Sequence, residues 1–210
     1  FQLRTESLPV LPAGSPDFRI LHISDMHMIP GQRKKTEFMH SLAALEPDLV
    51  MNTGDNLSHV GGMEPLLEAL DPLMDFPGVF VPGSNCYFAP IFKNPARYLW
   101  QPRTPQTIEE GSRMALPIEQ MHEAFESRGW TGLVNRYDTL TLNGLRLEFS
   151  GVDDPHLRYD KHPGFAPGAF DESTEPSVRI GVAHAPYMRT LHRFVQDGAQ
   201  AIFAGHTHGG

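Results

Sequence analysis

Phe18-Arg-Ile-Leu-His-Ile-Ser24, Asp48-Leu-Val-Met-Asn-Thr53 and Gly78-Val-Phe-Val81 are three short apolar runs of strand length, and helical patterns from about Arg33 to Leu45 and from Met63 to Met74 separate them. Strand, helix, strand, helix, strand is the pattern of an α/β sheet whose strands are joined by crossover helices. Toward the amino end, Leu8-Pro-Val-Leu-Pro-Ala-Gly-Ser-Pro16 holds three prolines and a glycine, which favour extended chain over regular structure. Residues 1–17 therefore read as an extended lead-in, and 18–210 as one domain, a length that suits a single substantial core.

Toward the carboxyl end, periodicity is lost from Pro82 to Leu116, where Pro90, Pro95, Pro102 and Pro105 interrupt a segment carrying Tyr87, Phe88, Phe92, Tyr98 and Trp100. Such a stretch reads either as an ordered flap over a site or as packing on the flank of the domain. Pro117 opens a helix that ends near Gly129. Tyr137–Leu142 and Leu145–Phe149 alternate around Asn143-Gly144, the strongest local signal for a β-hairpin. Val178–Ala183, Tyr187–Val195 and Ala201–Ala204 complete the pattern as strand, helix and strand.

Composition excludes little. The formal net charge of −8 leaves no basic footprint for a nucleic-acid backbone. The single cysteine, Cys86, allows no internal disulfide and does not identify a compartment. No apolar run is long enough to span a membrane, and the start shows no signal-peptide pattern. The chain begins at Phe1 and stops just after a His-rich motif, which leads us to expect a fragment.

The chemistry lies where the strands stop. Ser24-Asp-Met-His27 follows the first strand, Gly54-Asp-Asn56 the second, Gly83-Ser-Asn-Cys86 the third, His184 the run Val178–Ala183, and Gly205-His-Thr-His208 the last. In open α/β sheets ligands gather at the carboxyl ends of strands, so five loops from one sheet edge can converge on one site. Asp25 and His27 are two apart, as are His206 and His208. In extended backbone that spacing turns both side chains of a pair to one side, so each pair can grip one locus. Carboxylate, imidazole and amide donors together suit Mn²⁺, Fe²⁺ or Zn²⁺ better than Ca²⁺ or Mg²⁺. His22, His40, His122 and His192 lie inside predicted strands or helices, and Met39, Met63, Met74 and Met121 on helices; both sets read as packing.

Asp25-x-His27, Gly54-Asp55, Gly83-Ser-Asn85, His184 and Gly205-His-x-His208, in this order, resemble the signature of the calcineurin-like metallophosphoesterases from about Phe18 to the last residue. The resemblance implies a two-sheet β-sandwich flanked by helices, with residues 18–210 as the catalytic domain and further strands beyond Gly210. It also implies that Asp25, His27 and His208 hold one metal, that Asn85, His184 and His206 hold another, and that Asp55 bridges both. Two cations roughly 3.5–4 Å apart hold phosphoryl oxygens and acidify a shared water, which becomes the nucleophile on a phosphomonoester or phosphodiester. The substrate expected is a small-molecule phosphoester or a lipid head group. Relatives often carry a hydrophobic segment ahead of a stretch like Phe1-Gln-Leu-Arg4, which makes a membrane tether outside this chain a further expectation.

One segment departs from the family. Where Gly-Asn-His is usual, Gly83 is followed by Ser84, Asn85 and Cys86. Without a gap Ser84 takes the asparagine place; with a one-residue shift Asn85 remains the ligand and Cys86 replaces the histidine. An amide oxygen is the better neutral donor, which favours Asn85. Either way the usual leaving-group acid is absent, at a cost of about 10²–10⁴-fold for poor leaving groups. His59 and His156 are candidates to replace it, against a default of ordinary loop residues. Cys86 is read as a small buried side chain, with a redox thiol or an extra ligand as alternatives. Two other functions fit parts of the pattern: a metal-binding scaffold with little catalysis, suggested by the Gly83–Cys86 segment, and a dinuclear hydrolase of amides or lactones.

Overall fold

The computed structural model describes residues 2–90, 114–167 and 176–208. Its elements are, in order, β1 (Ile20–Ile23), α1 (Arg33–Ser41), β2 (Leu49–Asn52), α2 (Met63–Leu70), β3 (Gly78–Phe80), α3 (Ser84–Tyr87), α4 (Ile118–Ser127), β4 (Thr131–Gly132), β5 (Arg136–Leu142), β6 (Leu145–Gly151), β7 (Ser177–Ala183), α5 (Met188–Gln196) and β8 (Ala201–Ala204). They form two four-stranded sheets, β1-β2-β3-β4 and β5-β6-β7-β8. The first is parallel throughout. In the second an antiparallel hairpin, β5 with β6, is extended by β7 and β8 in parallel.

Alternation along the strands builds the layers. In β2, Leu49 and Met51 face the second sheet while Val50 faces the helices; in β3, Val79 faces the second sheet and Phe80 the helices. Leu145, Leu147 and Phe149 of β6 and Val178, Ile180 and Val182 of β7 meet them from the other side, closing a core between the sheets. The first sheet's outer face is covered by Met39, Leu66, Leu70, Met121 and Phe125 from α1, α2 and α4. The second is covered by α5, where Phe194 packs with Val152 and Ala183. A β-carbon at Gly181 would strike the Phe194 ring, so β7 has a glycine where the helix lies closest. The result is helix, sheet, sheet, helix, as expected for the two-sheet sandwich.

The helices differ from the sequence reading at their ends. The turn Leu42–Leu45 is 3₁₀, and Glu46 ends it in the left-handed region at φ 46°. The second predicted helix stops at Leu70 and tightens into a 3₁₀ turn over Asp71–Leu73. Pro72 is the cause, because it has no N–H for Glu68 and its ring crowds that carbonyl. The Glu68 carbonyl accepts from Asp71 N–H and from His40 Nε2, the latter at 2.7 Å, instead. Two elements escaped the sequence reading, the one-turn α3 and the two-residue β4, both too short to show periodicity.

The lead-in has no helix or strand among its described residues, yet Val10 and Leu11 pack against the core between the sheets. The central part of the expected flap, residues 91–113 with Phe92, Tyr98 and Trp100, lies outside the described residues. Its two feet meet in an antiparallel bridge between Phe88 and Ala115. Among the described residues no helix is long and apolar enough to cross a membrane.

Candidate metal centre

The loops after β1 and β2 run side by side as a continuation of the sheet. Asp25 N–H donates to Gly54 O at 2.9 Å, His27 N–H to Asp55 O at 2.9 Å and Met28 N–H to Asn56 O at 2.8 Å. Their backbone is not extended, however: Asp25, His27 and Asp55 have φ of 53°, 46° and 52°, and His206 and His208 have 69° and 52°. These are five of the nine non-glycine residues with positive φ among those described. Left-handed backbone costs a residue with a β-carbon roughly 1–2 kcal/mol, and such strain gathers at functional sites. The expectation that each pair two apart grips one locus from extended chain is thereby corrected. Asp25 and His27 do stay together, but His206 and His208 part company.

Two groups of donor atoms result, Asp25, His27 and His208 in one and Asp55, His184 and His206 in the other, the atoms within each group lying within 4.8 Å of one another. The His27 and His208 rings stack at 5.4 Å and 5°, and those of His184 and His206 meet edge-on at 5.2 Å. Asp55 Oδ2 lies 3.3 Å from His184 Nε2 and 3.8 Å from His27 Nε2, and so touches both groups.

Hydrogen bonds from outside aim these side chains. His184 Nδ1 donates to Thr53 O at 2.7 Å, which puts the lone pair of the neutral ring on Nε2. His27 Nδ1 meets Ser58 Oγ at 2.9 Å, turning its Nε2 to the centre. Asp25 Oδ2 accepts from His206 N–H at 2.9 Å. That leaves Asp25 Oδ1 and His184 Nε2 buried without a hydrogen bond, one in each group. Buried polar atoms are rarely left so, and a divalent cation in each group would satisfy both. The oxygen and nitrogen donors fit that assignment.

Charge follows the same logic. Burial opposes ionisation of Asp55, but a protonated His184 ring, itself raised against burial by the same carboxylate, and the two Asn85 donors outweigh it and bring the carboxyl down to about 2. A cation between the ring and the carboxylate would take the place of that proton. Burial pushes the His27 and His206 rings below their ordinary range, which favours the neutral form that binds metals. Backbone approach is equally tight. A β-carbon at Gly83 would collide with the Asp55 carboxylate and the His184 ring, and one at Gly205 with Ser24 Oγ and Asp25 Oδ2.

Asn85 sits on the shared carboxylate, its N–H donating to Asp55 Oδ1 at 2.8 Å and its Nδ2 to Oδ2 at 2.7 Å. Ser84 is buried next to it in sequence. Cys86 points into the core, where Asn56 N–H approaches its Sγ at 3.5 Å and burial pushes the thiol up to about 12. It is a protonated packing residue there. His59 caps the turn Val60–Gly62, its Nδ1 accepting from Gly61 N–H at 2.9 Å. His156 stands closer to the centre: its ring lies 5.2 Å from that of His206, and its Nδ1 meets Tyr187 Oη at 2.9 Å.

The sequence reading missed the supporting residues. Asp154 is fully buried on the loop after β6, its carboxylate accepting from His156 and Leu157 N–H at 3.0 and 3.2 Å, with burial raising its pKa to about 6. Its neighbour Asp153 accepts from Tyr87 Oη at 2.7 Å. The pair Asp153-Asp154 directly behind a strand was the available signal, by the same rule that singled out Asp25 and Asp55.

The model of the calcineurin-like phosphoesterase family matches residues 18–210, and the chain belongs to that family. The family is typically hydrolytic and generally uses divalent metals. An uncharacterized protein of Bacillus subtilis (strain 168), YpbG, is 27% identical over 213 aligned residues, which cover 99% of this chain and 68% of the relative.

Proposed function

We propose that this domain hydrolyses phosphoric monoesters or diesters at a pair of divalent cations, Mn²⁺, Fe²⁺ or Zn²⁺, with Asp55 between them. The observation that carries the reading is the position of Asp55 Oδ2, 3.3 Å from His184 Nε2 and 3.8 Å from His27 Nε2, which suits a bridging carboxylate. Asp25, His27 and His208 would hold one ion; His184, His206 and the amide oxygen of Asn85 would hold the other. Bound there, the cations would supply Lewis acidity to the phosphoryl oxygens and to a shared water that attacks phosphorus.

The residues of the chain do the rest. Asn85 orients the Asp55 carboxylate through two donors, and Thr53 O and Ser58 Oγ fix the rings of His184 and His27. His156, against His206 and held by Tyr187, is better placed than His59 to reach the leaving group. The segment Gly83–Cys86 has no histidine for that task, so esters with acidic leaving groups are the better substrates. Small-molecule phosphoesters and lipid head groups are the classes proposed.

The test is hydrolysis of p-nitrophenyl phosphate and bis-p-nitrophenyl phosphate with added Mn²⁺, beside an Asp55→Ala control. Metal-dependent turnover that falls to background in the variant is expected. Turnover no higher than the control, with metal bound, would instead support the scaffold reading suggested by Ser84-Asn85-Cys86.

A further inference from the structure

We propose that Tyr87 and Asp153 are a positioning pair that holds Asn85 in register with the Asp55 carboxylate and so sets the donor arrangement of the group containing His184 and His206. The inference rests on the dinuclear reading above. Asn85 lies in α3, a helix of four residues. A single turn does not stand alone in water, because nucleation fixes several residues for one hydrogen bond. Its position must come from contacts outside it.

Tyr87, at the end of that turn, donates from Oη to Asp153 Oδ1 at 2.7 Å. A phenol on a buried carboxylate is among the stronger hydrogen bonds available, and Asp153 is only 8% exposed. Asp153 is itself fixed: its N–H donates to Asn135 Oδ1 at 2.9 Å, and the same oxygen accepts from Lys161 N–H at 2.7 Å. Asn135 Nδ2 donates to Tyr159 O at 3.0 Å, and the Tyr159 ring meets the Tyr87 ring edge-on at 5.4 Å. The geometry thus links two sheets. α3 leaves the end of β3 in the first sheet, while Asp153 follows the end of β6 in the second. His184 and His206 come from the second sheet's strand ends, so the Tyr87–Asp153 bond sets Asn85 relative to them independently of Asp55.

Calorimetric titration of the metal-free protein with Mn²⁺ tests this. The parent chain should bind two ions. Tyr87→Phe and Asp153→Ala should weaken the event at the His184–His206 group by about 10–100-fold, the magnitude usual for residues that orient metal ligands, and the other, which is linked to Asn85 only through Asp55, distinctly less. Asp153→Asn, which keeps an acceptor for the phenol, should retain most of the affinity. Tyr87→Phe combined with Asp153→Ala should be no worse than the weaker single variant. Equal weakening of both events would show a general loss of structure and overturn the proposal, as would no weakening at all in Tyr87→Phe. A parent chain that fails to bind two ions would overturn the dinuclear reading as well, which separates the two failures.

Discussion

Gly83 has no space for a methyl group, because a β-carbon there would collide with both the Asp55 carboxylate and the His184 ring. Gly83→Ala should therefore displace a ligand rather than merely loosen the fold. A stability loss of about 1–3 kcal/mol is expected from overpacking, together with a fall in bound metal measured by plasma emission on the purified protein. Full metal content in a folded Gly83→Ala chain would contradict the geometry. At this scale the donor residues were legible, since Asp25, His27, Asp55, His184, His206 and His208 are polar types set where apolar strands end. Their partition was not legible from spacing, because it depends on left-handed backbone at five of them. The residues that aim them were also hidden: Thr53 acts on His184 through its carbonyl, a group every residue carries, and Ser58 resembles any loop serine.

Asn143 and Gly144, at φ 52° and 76°, form the tight turn between β5 and β6. Both central residues have positive φ, as a type I′ turn requires, which is why the Asn-Gly pair announced this hairpin in the sequence. Asn143 Nδ2 also donates to Asp48 Oδ1 at 2.6 Å, tying the turn to the start of β2. The turn thus sits at the opposite end of the sheets from the donor groups. Gly144→Val should cost about 1–2 kcal/mol by forcing a β-branched residue into left-handed backbone, read from a urea titration, with Mn²⁺ affinity unchanged. Elements with a strong period or turn code, such as this hairpin and β8, were legible nearly to the residue. α2 was predicted too long because apolar periodicity runs on through Asp71–Leu73, whereas Pro72 withdraws the N–H that the helix needs. α3 was invisible, since four residues carry no period and its contacts with Asp55 and Asp153 are distant in sequence.

Across the whole molecule, two sheets bring loops from β1, β2 and β3 to the same rim as loops from β6, β7 and β8. Strand signals alone did not say which strands share a sheet; β5 to β8 separate from β1 to β4 because the inner faces of β2 and β3 need the apolar faces of β6 and β7. The family resemblance supplied the two-sheet sandwich, but the reading of all five loops at one sheet edge is corrected: those after β1, β2 and β3 leave the first sheet and those after β7 and β8 the second. The central claim is that Asp55 joins two cation loci, each drawn from loops of both sheets. It is tested most directly by anomalous diffraction from crystals grown with Mn²⁺. Two peaks about 3.5–4 Å apart, one among Asp25, His27 and His208 and one among His184, His206 and Asn85, with an Asp55 oxygen reaching both, are expected. A single peak, or peaks that Asp55 does not touch, would contradict it.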